Sequence, residues 1–331
     1  MNTDLKTFST LRIGGKAHKV FEIRNDADIR SAHEYALRHG KRLVIIGEGS
    51  NSVFSDAEDL FVIGSMKSTG IEAISHGNTT EVTAAGGEGW DALVAWTVER
   101  NLSGIEALSW IPGTVGAAPI QNIGAYGSEV ADTLLSVRAF DRTTEEFVTL
   151  SNEACLFSYR DSIFKRNPER YVITHITLTL NHGQATVPQY KAVQEYFDGK
   201  NPTLAEIRKA IIEIRNRKLP DYRSLPNCGS FFKNPIVTRD VLKSIQETFP
   251  NIPFFETDTM SIKLYAGWLI ENVDYAQAET DNVRFYDKNK LILTNQGSAS
   301  FAELQCVISA IQESVRQKFA VTLEVEPNIF T

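Results

Sequence analysis

Residues 227–235, with the sequence NCGSFFKNP, place two reactive side chains beside a pair of bulky aromatic residues. Cys228 and Ser230 flank a glycine, and a thiol or a hydroxyl can act as a nucleophile or as a proton donor. Phe231 and Phe232 are predicted to pack in a core, whereas the asparagines and the lysine around them favour contact with water. This combination indicates a functional site that a hydrophobic core holds in place.

Two glycine-rich stretches are suited to binding phosphate groups: GEGSN at residues 47–51 and IPGTVGAAPIQNIGAYG at residues 111–127. Glycines let the backbone approach an anion and expose successive N–H groups, while Ser50 and Asn51 add side-chain donors. For GEGSN, simple turn formation is an equally good interpretation. Long, nearly uncharged loops are usually functional, which favours the second stretch. Neither matches G-x-G-x-x-G or the Walker pattern, so a Rossmann or P-loop site is not supported.

The elements around the first of these loops predict a small α/β unit. KVFEI and KRLVIIG are typical of strands, and NDADIRSAHEYALRHG between them has helical periodicity. Gly40 fits the C-terminal cap of this helix. The predicted buried face of the helix consists of Ile29, Ala32, His33, Ala36 and Leu37.

Downstream, strands and helices alternate without an internal repeat. Strands are predicted for TEVTAAGG, LLSVRAFD, FVTL and YVITHITLTL, with a helix near residues 90–100. Thr203 and Glu206 form a capping-box pattern, and Pro220 ends the helix that they begin. Its apolar positions at helical spacing are Leu204, Ile207, Ile211 and Ile214. The rest of the chain is predicted to contain helices near residues 238–248 and 262–272, the strand KLILTN, and the terminal strand VTLEVEPNIF. A long helix is predicted to begin at Ser300, with Glu303 in the capping-box position.

The composition is that of an ordinary soluble protein. The 331 residues suggest two or three domains, and contents of 42% hydrophobic and 23% charged residues are typical of globular chains. A net charge of -7 argues against general nucleic-acid binding. Three widely spaced cysteines without a CxxC pair predict a reducing compartment and no zinc site. The lack of a signal-peptide pattern, and of an apolar run of roughly 18 residues, favours a cytoplasmic protein.

Five separated motifs resemble one known family. GEGSN, PGTVG…QNIGAYG, YRDSIFK at residues 159–165, GSFFKNP and LEVEP occur in this order. Together they resemble the UDP-N-acetylenolpyruvoylglucosamine reductases, flavoenzymes that complete UDP-N-acetylmuramate in bacterial cell-wall synthesis. The resemblance covers nearly the whole chain. VPQYK, which contains Tyr190, is similar to the tyrosine-bearing insertion of some members.

The resemblance implies an α+β fold and a flavin cofactor. The expected FAD-binding fold is of the vanillyl-alcohol-oxidase-like type, with two α/β subdomains at residues 1–65 and 66–200 and a C-terminal α+β substrate domain at residues 201–331. Some relatives attach FAD covalently through His or Cys, and neither loop contains either residue, so non-covalent FAD is expected, with NADPH as reductant. The implied cofactor-binding residues are Gly47, Glu48, Gly49, Ser50, Asn51, Ser52, Pro112, Gly113, Thr114, Gly116, Ala117, Gln121, Asn122, Gly124, Ala125, Tyr126 and Gly127.

The implied reaction needs groups that stabilise a carboxylate and a proton donor. NADPH reduces FAD, and hydride then passes to the enolpyruvyl carbon distal to the carboxylate, so that negative charge spreads into this carboxylate. The family motifs assign Arg160 and Glu326 to the carboxylate, and a raised pKa is expected for Glu326. Ser230 is the implied proton donor, with Lys233 and Lys218 as candidate cations near it.

Two of these assignments have a rival in the sequence. Cys228 is more acidic than Ser230, but the reaction needs no covalent nucleophile and no histidine follows His182 to activate a thiol. Cys228 is therefore expected to be buried and inert. Strand alternation places Glu324 and Glu326 on one face, so periodicity does not separate them, and the family pattern favours Glu326.

The resemblance also implies how the substrate is bound. The expected substrate-binding residues are Tyr190, Lys218, Asn234 and Lys263. Substrate binding is expected to use the local basic residues, and the run RNRKLPDYR at residues 215–223 supplies several of them. The expected partners are UDP-N-acetylglucosamine enolpyruvate and NADPH, with no nucleic acid, membrane or metal, and a monomer is expected. Two alternatives are another FAD-dependent oxidase or dehydrogenase and a UDP-sugar-binding module without catalysis. Flavin colour in the purified protein separates the module from both enzymes.

Overall fold

The computed structural model describes residues 3–183, 185–256 and 261–331. The chain forms two compact units. The first unit consists mainly of Lys16–Glu48 and Glu58–Arg217, and the second of Asp4–Gly15, Gly49–Ala57 and Lys218–Thr331. The division into three domains at residues 65 and 200 stays a prediction.

A three-stranded parallel sheet opens the first unit. Phe61–Met66 lies between Lys19–Ile23 and Arg42–Ile46 and pairs in parallel with both. Val62 and Ile63 of the central strand are fully buried, as expected for a strand that is covered on both faces. The strand–helix–strand order predicted for this region is confirmed.

The helix Asp26–His39 packs on this sheet through an apolar face. A capping box formed by Asn25 and Asp28 begins the helix, and Gly40 ends it in the left-handed conformation with φ of 62°. The side chains that the helix buries are Ile29, Ala32, His33 and Ala36. The predicted burial of Leu37 is wrong, because this side chain lies outside the packed face and is 60% exposed.

An antiparallel sheet forms the second layer of the first unit. In spatial order its strands are Glu146–Ser151, Leu134–Asp141, Tyr171–His182, Thr79–Ala85 and Ile71–His76, and Leu102–Ser103 also pairs with Tyr171–His182. The helix Trp90–Glu99 buries Trp90, whose indole N–H donates to the carbonyl of Leu108 at 3.0 Å. The strands and the helix predicted for this region are confirmed.

Two further helices of the first unit, Lys191–Phe197 and Leu204–Lys218, share an apolar cluster. The capping box predicted for the second helix is present, because Thr203 Oγ1 accepts from the N–H of Glu206 at 3.3 Å and Glu206 Oε2 accepts from the N–H of Thr203 at 2.8 Å. The predicted apolar positions Leu204, Ile207, Ile211 and Ile214 are buried. The helix ends two residues before Pro220, which has no N–H to extend it.

The second unit contains two three-stranded antiparallel sheets and a parallel pair. The first sheet is Asn227–Ser230, Asn289–Asn295 and Val283–Tyr286, the second is Ile236–Thr238, Ser261–Leu264 and Phe254–Glu256, and the parallel pair is Asn328–Phe330 with Ser52–Phe54. The helices are Arg239–Thr248, Ala266–Glu271 and Phe301–Phe319. The last of these begins at the capping box of Ser300 and Glu303, as predicted.

Two predicted elements of the second unit differ in the structure. The helix predicted near residues 262–272 begins only at Ala266, because the apolar residues before it form the strand Ser261–Leu264. The terminal strand covers only Asn328–Phe330 and not the whole of VTLEVEPNIF. Val325 makes a single antiparallel bridge with Phe232 instead. Short apolar runs fit a strand or a helix equally well, which explains the first difference.

The remaining elements are short. They are the strands Thr3–Asp4, Lys16–Ala17, Gly124–Ala125 and Ser128–Glu129, the helix Ile163–Arg166, and 3-10 turns at Leu5–Phe8, Glu106–Leu108, Val115–Ala117, Val130–Asp132, Glu153–Cys155 and Tyr275–Ala278. Among the helices of the described ranges, none combines the length and the apolar character that crossing a bilayer requires. The described residues also contain no group of three or more His, Cys, Asp or Glu side chains placed to hold a metal ion.

Candidate active site

The two glycine-rich stretches predicted from the sequence contact each other in the first unit. A Cβ atom added to Gly47 would lie 2.1 Å from Thr114 Oγ1, so only glycine fits against this threonine. Glu48 Oε2 accepts a hydrogen bond of 2.9 Å from the N–H of Gly113. Two segments that are about sixty residues apart in sequence thus lie against each other.

The rest of GEGSN is anchored in the second unit. Gly49 has φ of 72°, and a Cβ added to it would lie 2.0 Å from the carbonyl oxygen of Phe8. Both its conformation and its surroundings therefore require glycine. Asn51 accepts a hydrogen bond of 2.9 Å at its carbonyl from the N–H of Asn328, the first residue of the terminal strand.

These loops fit a cofactor that is held by backbone groups. A Cβ added to Gly116 would lie 3.1 Å from the Cα of Gly86, so the second loop also depends on a close backbone approach. Glycine-rich segments of this kind bring N–H groups up to a phosphate without side chains in the way. Neither loop offers a His or Cys for covalent attachment.

Arg160 is presented by a tight turn of the first unit. Ser158 and Asp161 exchange two backbone hydrogen bonds of 3.1 Å each, and Arg160 lies between them with φ of 53°. Its guanidinium donates from Nη2 to the carbonyl of Gly124 at 2.7 Å and from Nη1 to the carbonyl of Asn122 at 3.4 Å. The predicted carboxylate-binding arginine is therefore fixed against the second glycine-rich stretch.

Arg215 is a site residue that the sequence analysis did not single out. It is half-buried, and its Nε donates to the carbonyl of Trp110 at 3.1 Å. Burial lowers the pKa of Arg215, and the charge of Arg160 lowers it further, whereas the nearby Tyr126 opposes both effects. The first unit thus places two guanidinium groups within electrostatic reach of each other, an arrangement suited to a carboxylate or a phosphate.

A signal for Arg215 was present in the sequence. Helix Leu204–Lys218 buries Ile207 and Ile211, and Arg215 continues that series at the next spacing of four. A basic side chain in line with a buried apolar stripe points toward the interior rather than toward solvent. The same position was interpreted only as part of the basic run RNRKLPDYR.

Tyr126 and Tyr190, predicted for the cofactor and the substrate respectively, contact each other in the first unit. Their rings meet edge to face with centroids 5.1 Å apart. Burial raises the pKa of Tyr126, so its phenol stays protonated at neutral pH. A cavity of about 680 Å³ next to this pair is lined by Tyr126, Gly127, Ser128 and by Val187, Pro188 and Gln189 of the segment before Tyr190.

Ser230 follows a β-bulge in the second unit. Asn227 pairs with Thr294, and Ser230 pairs with Ile292. Two residues therefore separate the paired positions on the strand of Ser230, and only one residue separates them on the partner strand. Gly229 has φ of 76° within this bulge, and its N–H donates to Asn227 Oδ1 at 3.0 Å. The bulge changes the direction of the strand immediately before the half-buried Ser230.

The aromatic pair after Ser230 belongs to the core, as predicted. Phe231 and Phe232 are 0% and 1% exposed, and their rings meet edge to face with centroids 5.6 Å apart. The N–H of Phe231 donates to the carbonyl of Leu291 at 2.7 Å. Ser230 is therefore attached to one of the most rigidly packed parts of the second unit.

The structure separates the two glutamates of LEVEP. The N–H of Glu326 donates to the carbonyl of Phe231 at 2.9 Å, which brings Glu326 beside the Ser230 segment. Glu324 carries a 71% exposed side chain that accepts from Lys233 Nζ at 2.9 Å. Residues 324–326 form a single antiparallel bridge at Val325 and not the regular strand that was predicted. Lys233, suggested as a cation for Ser230, pairs with Glu324 instead.

Cys228 is 5% exposed. Burial raises the pKa of its thiol far above the usual range, and the charge of Glu326 makes a smaller contribution in the same direction. A thiol in this state stays protonated at neutral pH and is a poor nucleophile. The predicted burial of Cys228 is confirmed. The influence of Glu326 also shows that its carboxylate lies near the strand that carries Ser230.

Two predicted substrate residues of the second unit belong to its second sheet or to the segment that leads into it: Lys263 and Asn234. Asn234 Oδ1 accepts from the N–H of Ala266 at 2.9 Å and thereby caps the helix Ala266–Glu271. Lys263 lies in the middle strand, opposite Ile236 on one side and Phe255 on the other. Lys218 is exposed at the end of its helix.

The structure thus gathers Ser230, Glu326 and Cys228 in the second unit, and Arg160, Tyr126, Tyr190 and Arg215 in the first.

Comparison with known proteins first defines a class. The model of an FAD binding domain matches residues 17–151, and the model of the C-terminal domain of UDP-N-acetylenolpyruvoylglucosamine reductase matches residues 220–330. The chain is an FAD-binding protein with an α+β fold of the vanillyl-alcohol-oxidase-like type. The crystal structure of the UDP-N-acetylenolpyruvylglucosamine reductase from Thermus caldophilus superimposes with a TM-score of 0.68 at 20% identity, covering 100% of this chain and 98% of that one.

Sequence relatives then identify the family. The UDP-N-acetylenolpyruvoylglucosamine reductase of Pseudomonas aeruginosa is 37% identical over 330 residues, which are 98% of this chain and 97% of the relative. Those of Cupriavidus pinatubonensis and Polynucleobacter asymbioticus are 39% and 37% identical, over 98% and 99% of this chain and 96% and 95% of the relatives. The chain belongs to the UDP-N-acetylenolpyruvoylglucosamine reductase family.

Proposed function

We propose that the reaction of this family is carried out here by Ser230, Arg160 and Glu326. The chain is an FAD-dependent oxidoreductase that reduces the enolpyruvyl group of UDP-N-acetylglucosamine enolpyruvate to give UDP-N-acetylmuramate, with NADPH as reductant. FAD, when bound, accepts hydride from NADPH and delivers it to the substrate. Family membership excludes the two alternatives raised by the sequence, an oxidase and a binding module without catalysis.

Arg160 is assigned to the substrate carboxylate. A guanidinium can form two parallel hydrogen bonds with a carboxylate, and it stays charged as negative charge builds up there. Arg215 adds a second cation in the same unit and strengthens the field at such an anion. Glu326 is assigned to the same carboxylate as a hydrogen-bond donor, a role that requires it to be protonated, and its raised pKa stays a prediction.

Ser230 is assigned as the proton donor, and the observation that carries this assignment is its position. The bulge at Gly229 and the buried Phe231 fix the backbone on both sides of Ser230, and the carbonyl of Phe231 accepts from the N–H of Glu326, whereas the rival thiol of Cys228 is buried. A hydroxyl keeps its proton at neutral pH and can donate it to a strongly basic carbanion. Donation completes the addition of hydride and proton across the double bond.

The binding roles follow the predicted residues. FAD is assigned to the cofactor-binding residues predicted in the two glycine-rich stretches, with the exception of the wholly buried Asn122, and is held without a covalent bond. Tyr190, Lys218, Asn234 and Lys263 are assigned to the nucleotide-sugar substrate. We also infer a monomer that acts in the cytoplasm without nucleic acid or membrane partners. The three free cysteines support the cytoplasmic location, and the net charge of -7 supports the absence of nucleic-acid binding.

Stopped-flow flavin spectroscopy with the two substrates added separately tests the role of Ser230. In Ser230→Ala, NADPH should bleach the flavin at the normal rate, because this half-reaction needs no proton from the hydroxyl. The return of flavin colour on adding the enolpyruvyl substrate should be about 10²–10⁴-fold slower, the usual contribution of a general acid. Cys228→Ala is the matched control and should keep both rates. Normal recovery of colour in Ser230→Ala would show that another group donates the proton.

A further inference from the structure

Asn122 is the buried centre of the segment that contacts Arg160. It is 0% exposed and has φ of 46°, a conformation that asparagine tolerates better than most residues. Its Oδ1 accepts from the N–H of Ala131 at 3.1 Å. Its Nδ2 donates to Glu129 Oε2 at 2.6 Å and to the carbonyl of Ser158 at 3.3 Å. The side-chain amide is therefore engaged by three protein groups, two in the segment 129–131 and one at Ser158.

Both ends of Arg160 depend on this one residue. The carbonyl of Ser158, which Asn122 Nδ2 contacts, lies at the base of the turn that carries Arg160. The carbonyl of Asn122 itself accepts from the guanidinium at the other end of the side chain. Asn122 thus sets both the position of the turn and the direction of the guanidinium.

Glu129 is the charged partner of the Asn122 amide. The Ala131 N–H and the Ser158 carbonyl already define which end of the amide is the oxygen, and the 2.6 Å bond to Glu129 is the shortest of the three contacts. The carboxylate of Glu129 can only accept, so it pairs with Nδ2, and it also accepts from the N–H of Asp132 in a capping box. Glu129 and Arg160 pack beside Gly124, where an added Cβ would lie 3.0 Å from Glu129 Cγ and 3.2 Å from Arg160 Nη1.

We propose that Asn122 and Glu129 form a positioning pair that aligns the Arg160 guanidinium with the substrate carboxylate. Neither residue touches the reacting atoms, and the wholly buried Asn122 is not a cofactor contact, in contrast to the role that its motif suggested. The inference rests on the proposed function of Arg160. Because Arg160 is assigned to the enolpyruvyl substrate, loss of alignment slows the substrate half-reaction and leaves flavin reduction by NADPH unchanged.

Glu129→Ala and Glu129→Gln test the pair in the holoenzyme. The glutamine keeps an oxygen that can accept from Asn122 Nδ2, so both half-reactions should stay within about threefold of the wild-type rates. Alanine removes the charged acceptor that holds Asn122 Nδ2, so the amide can shift, and the substrate half-reaction should slow by about 10–100-fold, the scale of an error near 1 Å in alignment. A general structural role for Glu129 would instead slow both half-reactions and lower the FAD content.

A double-mutant cycle with Arg160→Ala decides whether Glu129 acts through Arg160. In the Arg160→Ala background, Glu129→Ala should cause no further loss of rate, because the group that it aligns is absent. An equal loss in both backgrounds would overturn the inference. If Arg160→Ala alone leaves the substrate half-reaction unchanged, the proposed function of Arg160 is wrong instead. Should Glu129→Ala not fold, Asn122→Ser replaces it, and equal rates in this variant and the wild type would likewise overturn the inference.

Discussion

Arg160 and Ser230 are both half-buried, but different kinds of backbone present them. Ser230 follows a bulge in a regular strand, and the side-chain contact that shapes this bulge spans only two residues, from Asn227 to Gly229. Arg160 lies on a turn outside regular structure, and its guanidinium partners are 36 and 38 residues away. One site residue is positioned by local sequence and a core, and the other by distant loop contacts.

The comparison shows how the direction of each of these two side chains can be lost. The direction of the Ser230 side chain depends on the stability of the strand and of the aromatic pair beneath it. The direction of the Arg160 side chain depends on a few polar contacts that can be lost while the fold persists. Substitutions near Ser230 should therefore reduce stability first, whereas those near Arg160 should reduce the rate of one half-reaction first.

The largest expected effect on stability is that of Phe231→Ala. Phe231 is 0% exposed, so its truncation leaves a cavity and should lower the free energy of unfolding by about 3–5 kcal/mol. Urea unfolding followed by fluorescence measures this loss. Phe255→Ala is the control, because its side chain is 50% exposed and should cost less than about 1 kcal/mol. Equal losses in the two variants would contradict the view that a rigid core supports Ser230.

The same contrast explains what the sequence could predict. The capping boxes at Thr203 and Ser300 were recognised because each depends on residues only three positions apart. The two loops predicted to bind phosphate were identified by their glycine content, whereas the candidate triad was identified through family motifs and not through spacing. The contact between Gly47 and Thr114 depends on tertiary packing, and no local pattern predicts it.

The errors have a physical explanation of the same kind. Leu37 fits the helical period, yet the packed face of its helix ends before it, so the side chain stays in water. Arg215 was not separated from the other basic residues of RNRKLPDYR because its burial depends on contacts with distant Trp110 and Tyr126. The apolar residues of Ser261–Leu264 suit a strand or a helix, and only pairing with Ile236–Thr238 and Phe254–Glu256 decides between the two.

A smaller effect on stability is expected for Gly229→Ala. The added Cβ has no atom within 4 Å, so the cost arises from φ of 76° and should be about 1–2 kcal/mol. Because the strand relieves this strain by changing the bulge, the direction of Ser230 should change, and the substrate half-reaction should slow while NADPH still bleaches the flavin normally. Stopped-flow measurements and urea unfolding of one preparation give both quantities.

Gly40→Ala is the matched control for this substitution. Gly40 has φ of 62° and likewise has no atom within 4 Å of an added Cβ, so the cost in stability should be similar. It caps a helix of the first unit far in sequence from the site residues, and both half-reactions should keep their rates. A slow substrate half-reaction in Gly40→Ala would mean that lost stability, and not the direction of Ser230, explains the effect of Gly229→Ala.

The smallest effect concerns pH and again separates the two units, because all six histidines belong to the first. Burial and the nearby Arg142 lower the pKa of His33, although the charges of Glu145 and Glu34 oppose this change. Burial and Arg138 lower the pKa of His175 in the same way, and the charges of Asp26 and Glu72 oppose it. The Nδ1 of His33 accepts from Arg142 Nε at 3.4 Å, which suits a neutral ring.

The pKa of histidine in an unfolded chain is about 6.5, so below this pH the unfolded state takes up protons that the folded state refuses. The free energy of unfolding should therefore fall as the pH drops from about 7 through the lowered pKa values of the folded state. Urea midpoints at several pH values should show this slope in the wild type and a flatter one in a His33→Gln and His175→Gln double variant. An equally steep slope in the double variant would mean that groups other than these two histidines, including any in the histidine-free second unit, cause the loss of stability.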